Sequence, residues 1–447
     1  MMRKFFLGAG MVLGIYVMGW AQEGTSSPGY LGTKTPYVFS GGAATPPPAG
    51  FRPVFISYAG RHGARFLTKE GTDLQVLRVL QSAEKSDGLT EMGLRVAKIV
   101  RHLLRVGKGN YERITLLGEL EQAAIGERMH QHYGSVFTGR GLEVVTTWKL
   151  RTQQSAAAFL KGLGKYEGAL KWERAPDSAD TALRFYDLSP AYQRYKKSSG
   201  VKRSLDSLDK DERTAATAKR VCARLFRPAF ARLMEGGGIA FVDDLYDLYS
   251  IGWSMSGELK AAGDPGDREG LGAAFDKDGL EWLDFRNGAA DFLEKGPGFD
   301  SVGIQVKVAA PLLADIINSL DRAVGKADAP DAVLRFTHAE AIAPLAALSG
   351  IRGASSSARS IYLYHDHWRA EDVIPLSANI QWILYAGDGG TYLVKVLLNE
   401  REAALPVATR QWPYYQWEDL RAYYVGKLGE LGVGLRENMQ EYLRGLE

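Results

Sequence analysis

Short, uninterrupted apolar runs alternate along this chain with stretches in which apolar residues recur every three or four positions. The first run, 53–58, has strand character and stops at Gly60, where a charged loop begins. Helical spacing then predicts helices over 73–82, 91–106 and 118–133, followed by a second strand at 143–147 and a helix at 155–163. From about 165 to 320 strand-like runs nearly vanish. Charged amphipathic helices and Gly/Asp-rich loops take over, with 257–272 the most loop-rich part. The strand pattern returns at 332–337, ahead of a helix starting near Glu340. Two further runs, 380–385 and 392–398, flank Ala386-Gly387-Asp388-Gly389-Gly390 and predict a β-hairpin. That glycine-rich turn lacks a following Gly-Lys-Ser/Thr and a helix, so it is not a phosphate-binding P-loop. The chain divides accordingly into an α/β part over 22–164, a mostly helical insertion over 165–325 and a second α/β part over 326–447. A buried strand running into a polar loop is where α/β proteins place their chemistry.

The N-terminus has a different pattern. Arg3 and Lys4 precede an uncharged run to Trp20, and Gly19-Trp20-Ala21 offers small residues for cleavage, so 1–21 reads as a secretory signal peptide. The run is shorter than the ~20 apolar residues of a spanning helix, and the expectation is export, to the periplasm, to vesicles or outside the cell, without stable membrane insertion. Residues 23–50, rich in Gly, Ser, Thr and Pro, read as an irregular lead-in. Removing the leader takes two of the 55 basic residues and leaves +1 against 52 acidic ones. Such balance argues against a general nucleic-acid binder. Cys222 is the single cysteine, so no internal disulfide can form, and its apolar helical setting predicts a buried, inert thiol.

The strongest chemical signal is Arg61-His62-Gly63-Ala64-Arg65, placed directly after the first strand. A transferring phosphoryl group carries charge on three equatorial oxygens, so its catalysis is mostly positioning and electrostatic stabilisation. Arginine forks match those oxygens and keep their charge. Positive neighbours also keep a histidine neutral and nucleophilic, and Gly63 permits a close backbone approach. His365 and His367 would share a face on a strand, but two ligands without a third make a weak metal site; ordinary polar packing is the favoured reading, and no metal or other cofactor is expected. Lys196, Lys197, Lys202 and Arg203 form a basic cluster in the helical insertion, readable as a solvated face or as contacts to remote phosphates. Lys69, four residues after Arg65, has a similar claim.

The Arg-His-Gly-x-Arg run resembles the signature of the histidine phosphatase superfamily, in its acid-phosphatase and phytase branch. Leu116 to Met129 is similar to that family's helix beyond the catalytic loop, and Arg151-Thr152-Gln153-Gln154-Ser155-Ala156 to its segment bearing a third phosphate-binding arginine. Thr337-His338-Ala339-Glu340 looks like the His-Ala-Glu form that marks the multiple inositol polyphosphate phosphatases, where the branch commonly has His-Asp. Leu398-Asn399-Glu400 and Trp412 to Trp417 resemble the same clade. The resemblance implies a mainly parallel sheet flanked by helices, of phosphoglycerate-mutase type, with the helical insertion as a cap. It implies His62 as nucleophile; Arg61, Arg65, Arg151 and His338 around the phosphate; and Glu340 as proton donor and later base. His338 as a supporting residue and Glu340 as a helix-terminal acid is the alternative. The implied substrate is a small polyanion such as phytate, with no obligate protein partner. Sugar phosphates or bisphosphoglycerate hydrolysed by a broad acid phosphatase is the competing enzyme reading. A phosphate-binding protein without turnover is the non-enzymatic one.

Overall fold

The computed structural model describes residues 29–447 except 43, 177–178, 235, 237, 264–267 and 326–327. The expected leader, 1–21, lies outside the described residues. Among the described residues eight strands form one sheet: β1 (Arg52–Arg61), β2 (Leu142–Thr146), β3 (Leu170–Arg174), β4 (Ala332–Thr337), β5 (Asn379–Ala386), β6 (Tyr392–Leu398), β7 (Arg401–Glu402) and β8 (Tyr414–Gln416). Their order is β3-β2-β4-β1-β5-β6-β7, with β8 also pairing to β6. Neighbours from β3 through β1 are parallel, and those from β1 through β8 are antiparallel. The core strands are therefore parallel, while the β5/β6 hairpin makes half of the sheet antiparallel.

Alternation along β1 explains the layers. Ile56 and Tyr58 point to one face and join Leu334 and Phe336 of β4 under helices Leu116–Tyr133 and Leu150–Leu163. Phe55 and Ala59 point to the other, under helices Ala310–Gly325, Ala339–Leu348 and Trp417–Glu430. Phe336 is fully buried, its ring centroid 5.5 Å from those of Tyr58 and Phe159. Burying one such side chain contributes roughly 1.5–3 kcal/mol. Arg335 points away from the chemistry: its Nε donates to Asp315 Oδ2 at 2.5 Å and its Nη1 to Ser57 at 2.9 Å.

Several expected boundaries shift. β1 does not stop at Gly60 but runs through Arg61, because Arg61 pairs with Thr337 and its N–H donates to Ala378 O at 2.7 Å. The helix expected from 155 begins at Leu150 and so includes Arg151. Of the segment 165–325, the first strand, β3, extends the sheet at its edge, where its mostly solvated side chains weaken the apolar signal. Its last helix, Ala310–Gly325, packs on the sheet. In the loop-rich 257–272 stretch, short helices Ser256–Ala261 and Arg268–Gly272 flank residues outside the described set. The helical lobe also draws on the first part of the chain. Helices Thr72–Lys85 and Glu91–Gly107 share one core with Glu212–Leu225 and Gly238–Gly252 through Val96, Val100, Leu225 and Leu245. Thr90 caps the second of these helices by accepting from Gly93 N at 3.1 Å. Cys222 lies in that shared core, and burial pushes its thiol up to about 11. Among the described residues no helix is long and apolar enough to cross a membrane.

Candidate active site

Three parallel strands end side by side, and the loops leaving them start under mutual backbone hydrogen bonds. His62 N donates to Thr337 O at 3.0 Å, and Thr147 N donates to Phe336 O at 3.4 Å. The turn after β1 is then fixed from below. Glu121 accepts from Ala64 N at 2.9 Å, Tyr37 N at 2.9 Å and Ser377 Oγ at 2.7 Å. Ser155 Oγ accepts from Gly63 N at 3.0 Å. Gly63 is needed for packing as much as for any ligand: a Cβ there would sit 2.6 Å from Gly118 O in the helix beneath.

His62 is buried, and its Nδ1 lies 2.9 Å from Gly63 O. A carbonyl can only accept, so Nδ1 carries the proton and Nε2 keeps its lone pair. Burial, then Arg151, Arg61, His338 and Arg65, hold this imidazole well below the usual histidine range. His338 stands next to it, ring centroids 5.4 Å apart. Arg151 Nη2 is 3.2 Å from His338 Nδ1, and Thr147 Oγ1 is 3.1 Å from its Nε2. Burial and Arg151 hold His338 well below the usual histidine range too.

Three arginines converge here. Arg61 Nη1 donates to Thr33 O at 2.6 Å and to Ile374 O at 2.5 Å, so the lead-in segment orients it. Arg65 Nη1 donates to Phe66 O at 2.8 Å, and burial with Arg151 and Arg61 nearby pulls its guanidinium down to about 10. Arg151 faces Glu112 at 3.6 Å. Arg61 Nε and Arg151 Nε and Nη1 are buried without a hydrogen-bond partner among the described residues. Buried donors of a charged group are costly to leave unmade, and an anion with several acceptor oxygens satisfies them.

Residues 60–231 match the histidine phosphatase superfamily (branch 2). The chain is matched by that family over less than half of its length. It is 22% identical over 423 residues to multiple inositol polyphosphate phosphatase 1 of Gallus gallus, covering 89% of each chain. To the Homo sapiens protein of the same name it is 24% identical over 451 residues, covering 88% of this chain and 86% of that one. The fold is similar to the Bifidobacterium longum multiple inositol polyphosphate phosphatase in complex with inositol hexasulfate. That match has a TM-score of 0.77 and 23% identity, over 88% of this chain and 97% of that one. The phytase from D. castellii matches with a TM-score of 0.65 at 15% identity, over 89% and 85%.

Glu340 follows His338 in the first turn of helix Ala339–Leu348. Its side chain keeps 38% of its surface exposed. Burial works to raise its carboxyl, but Lys295, His338 and Arg61 outweigh it and hold the group well below the usual carboxylate range. Lys295 Nζ lies 3.6 Å from Glu340 Oε1 and 2.5 Å from Asp291 Oδ1.

The lysines foreseen as substrate contacts fare differently. Lys69, Lys197, Lys202 and Arg203 are exposed, and Lys196 is half-buried, its Nζ 5.1 Å from the Tyr192 ring centroid. His365 and His367 do not share a strand face. They lie in and just after a 3-10 turn, Ile361–Asp366, with His367 exposed. His365 instead meets Asp284 and Glu371, ligand atoms all within 4.8 Å of one another. Asp284 Oδ1 accepts from Tyr246 OH at 3.0 Å, and burial pushes Glu371 up to about 7. Sequence reasoning missed Arg184, whose Nη1 is 3.3 Å from His338 Nε2 and whose guanidinium lies over the Trp148 and Tyr186 rings. It also missed Thr147, Lys295 and Asp291. None sits in a motif; only Thr147, closing a strand, carried a positional hint.

Proposed function

We propose that this protein is an exported phosphomonoesterase that hydrolyses inositol polyphosphates through a phosphohistidine on His62. The observation that carries the reading is the lone pair of His62 Nε2 beside buried guanidinium donors that lack a hydrogen-bond partner among the described residues. A phosphate held by Arg61, Arg65 and Arg151 presents phosphorus to Nε2. A P–N bond forms as the ester P–O bond breaks, and the leaving alkoxide takes a proton from Glu340. In the second half, the Glu340 carboxylate takes a proton from water, the water oxygen bonds to phosphorus, and the P–N electron pair returns to Nε2. Every group these steps need is a side chain of this chain.

Glu340 is ionised in the free protein, so the proton must arrive with the substrate. A phosphate monoester has a second pKa near 6, and its monoanion can bring that proton. Phosphate charge also offsets the arginine field that keeps Glu340 ionised. Inositol polyphosphates as substrates are supported by the relatives, which carry that activity in their names, over most of the chain. Export is supported by the leader-like pattern of residues 1–21. The test is a time-resolved separation of inositol phosphates formed from phytate by the purified protein. Stepwise lower phosphates are expected. Turnover of sugar phosphates without any of phytate would replace this reading with a broad acid phosphatase.

A further inference from the structure

The helix Lys277–Glu294 belongs to neither strand end, yet its C-terminal turn reaches the proposed proton donor. Lys295 closes that turn, its N–H donating to Asp291 O at 2.8 Å, and Gly296 N donates to the same carbonyl at 2.9 Å. Two tyrosines pin the turn from outside: Tyr195 OH donates to Leu293 O and Tyr192 OH to Glu294 O, both at 2.8 Å. The Lys295 side chain keeps only 18% of its surface exposed and is held by Asp291, itself 11% exposed. A half-buried ammonium so tightly anchored has little freedom to choose partners, and its other close carboxylate is Glu340.

We propose that Lys295, anchored by Asp291, is a positioning residue for the proposed reaction, holding the Glu340 carboxylate in place and deciding when it carries a proton. The inference rests on Glu340 being the donor. Around Glu340 stand Lys295 from the helical lobe with its partner Asp291, His338 from its own turn, Arg61 from β1, and Arg151 and Arg65 close by; Tyr186, Tyr192 and Glu294 also act on it or feel its charge. The three arginines are neutralised when phosphate binds, whereas Lys295 is already committed to Asp291. Lys295 therefore remains as the fixed opponent of Glu340 protonation through the cycle. At 3.6 Å it is an ion-pair partner and not a hydrogen-bond donor to Glu340. It can thus favour the ionised form needed as base without blocking the proton needed as acid.

The test is the pH profile of kcat for an inositol phosphate, which reports the complex, where Glu340 must hold the proton that the substrate brings. An opposite charge within ~4–6 Å moves a carboxyl by ~1–3 pH units. Lys295→Met should therefore move the alkaline limb up by roughly one unit or more, and Lys295→Arg, which keeps the charge, should restore it. Asp291→Asn leaves Lys295 to Glu340 alone and should move the same limb down. Opposite shifts support the proposal; an unchanged limb, or both shifting alike, overturns it. Should Lys295→Met fail to fold, the Asp291→Asn shift decides the matter by itself. Glu340→Gln, measured alongside, separates the two failures. If it spares inositol phosphate turnover, the donor assignment has fallen; if it abolishes turnover while the Lys295 and Asp291 profiles stay put, only the present inference has.

Discussion

The ends of the parallel strands and the helical lobe both send side chains into the pocket, but they fix them by different means. At the strand ends position comes from the backbone: His62 and Thr147 hang on hydrogen bonds to β4, and Glu121 ties down the turn between them and the helix below. The lobe works through reach. Lys295 meets Glu340 from the end of a long helix, and Arg184 reaches His338 from a short connecting segment between strand and helices. Groups that must attack or be attacked tolerate little displacement, since a misplacement of ~1 Å can cost ~10²-fold. They sit on the sheet. Groups that tune charge act over several ångströms, and a helix end suffices for them.

Substitutions can break this division. His62→Ala should bring turnover to background, and acid-labile phosphate trapped on the unaltered protein should map to His62; phosphate on His338 would reverse the assignment. The same histidine gives a pH test. Because burial and Arg151 depress it, it stays neutral as pH falls through the ordinary ~6.5, and the acid limb of kcat/KM should lie well below that value. Arg151→Met should move that limb upward. Next in size, Glu340→Gln should slow inositol phosphate hydrolysis by ~10²–10⁴-fold. Aryl phosphates, whose phenolate leaves unaided, should lose far less; equal losses would make Glu340 structural.

Effects in the lobe should be smaller. Changing Lys196, Lys197, Lys202 and Arg203 together to Glu should lower kcat/KM for phytate several-fold, since exposed charge contacts are worth ~1 kcal/mol or less each. The loss should shrink with added salt, and aryl phosphate turnover should hardly change. Three of the four are exposed and Lys196 is half-buried, so Lys196→Glu alone should account for most of it. Smallest of all, a strong chelator should leave the rate unchanged, because the proposed steps use no Lewis acid. A loss that zinc or magnesium restores would turn attention to Asp284, His365 and Glu371.

What could be read from sequence follows the same division. Apolar runs and helical spacing located β1, β2, β4, the β5/β6 hairpin and the long helices, because burial on a face leaves a period in the chain. Arg61, His62, Arg65, Arg151, His338 and Glu340 lie where those elements end, and the strand ends bring most of them together. Lys295 and Asp291 were illegible: within an amphipathic helix two charges four residues apart read as a surface pair, and only the tertiary fold buries them. β3 was missed because its side chains remain in solvent. The metal reading of His365 and His367 assumed a strand, where the chain makes a 3-10 turn and selects different neighbours. The lead-in reads from its composition as irregular; its Thr33 carbonyl nonetheless orients Arg61, through a backbone contact that no composition can reveal.

The shared core of the helical lobe bears on how such enzymes can be recombined. Helices Thr72–Lys85 and Glu91–Gly107 leave the chain directly after the loop that follows β1, whereas their packing partners arrive more than a hundred residues later. A chimera that borrows only the later segment from a relative would set two foreign surfaces against each other at Val96, Val100, Leu225 and Leu245. Transplanting the lobe requires two crossovers in register, and the first of them falls a few residues beyond Arg65.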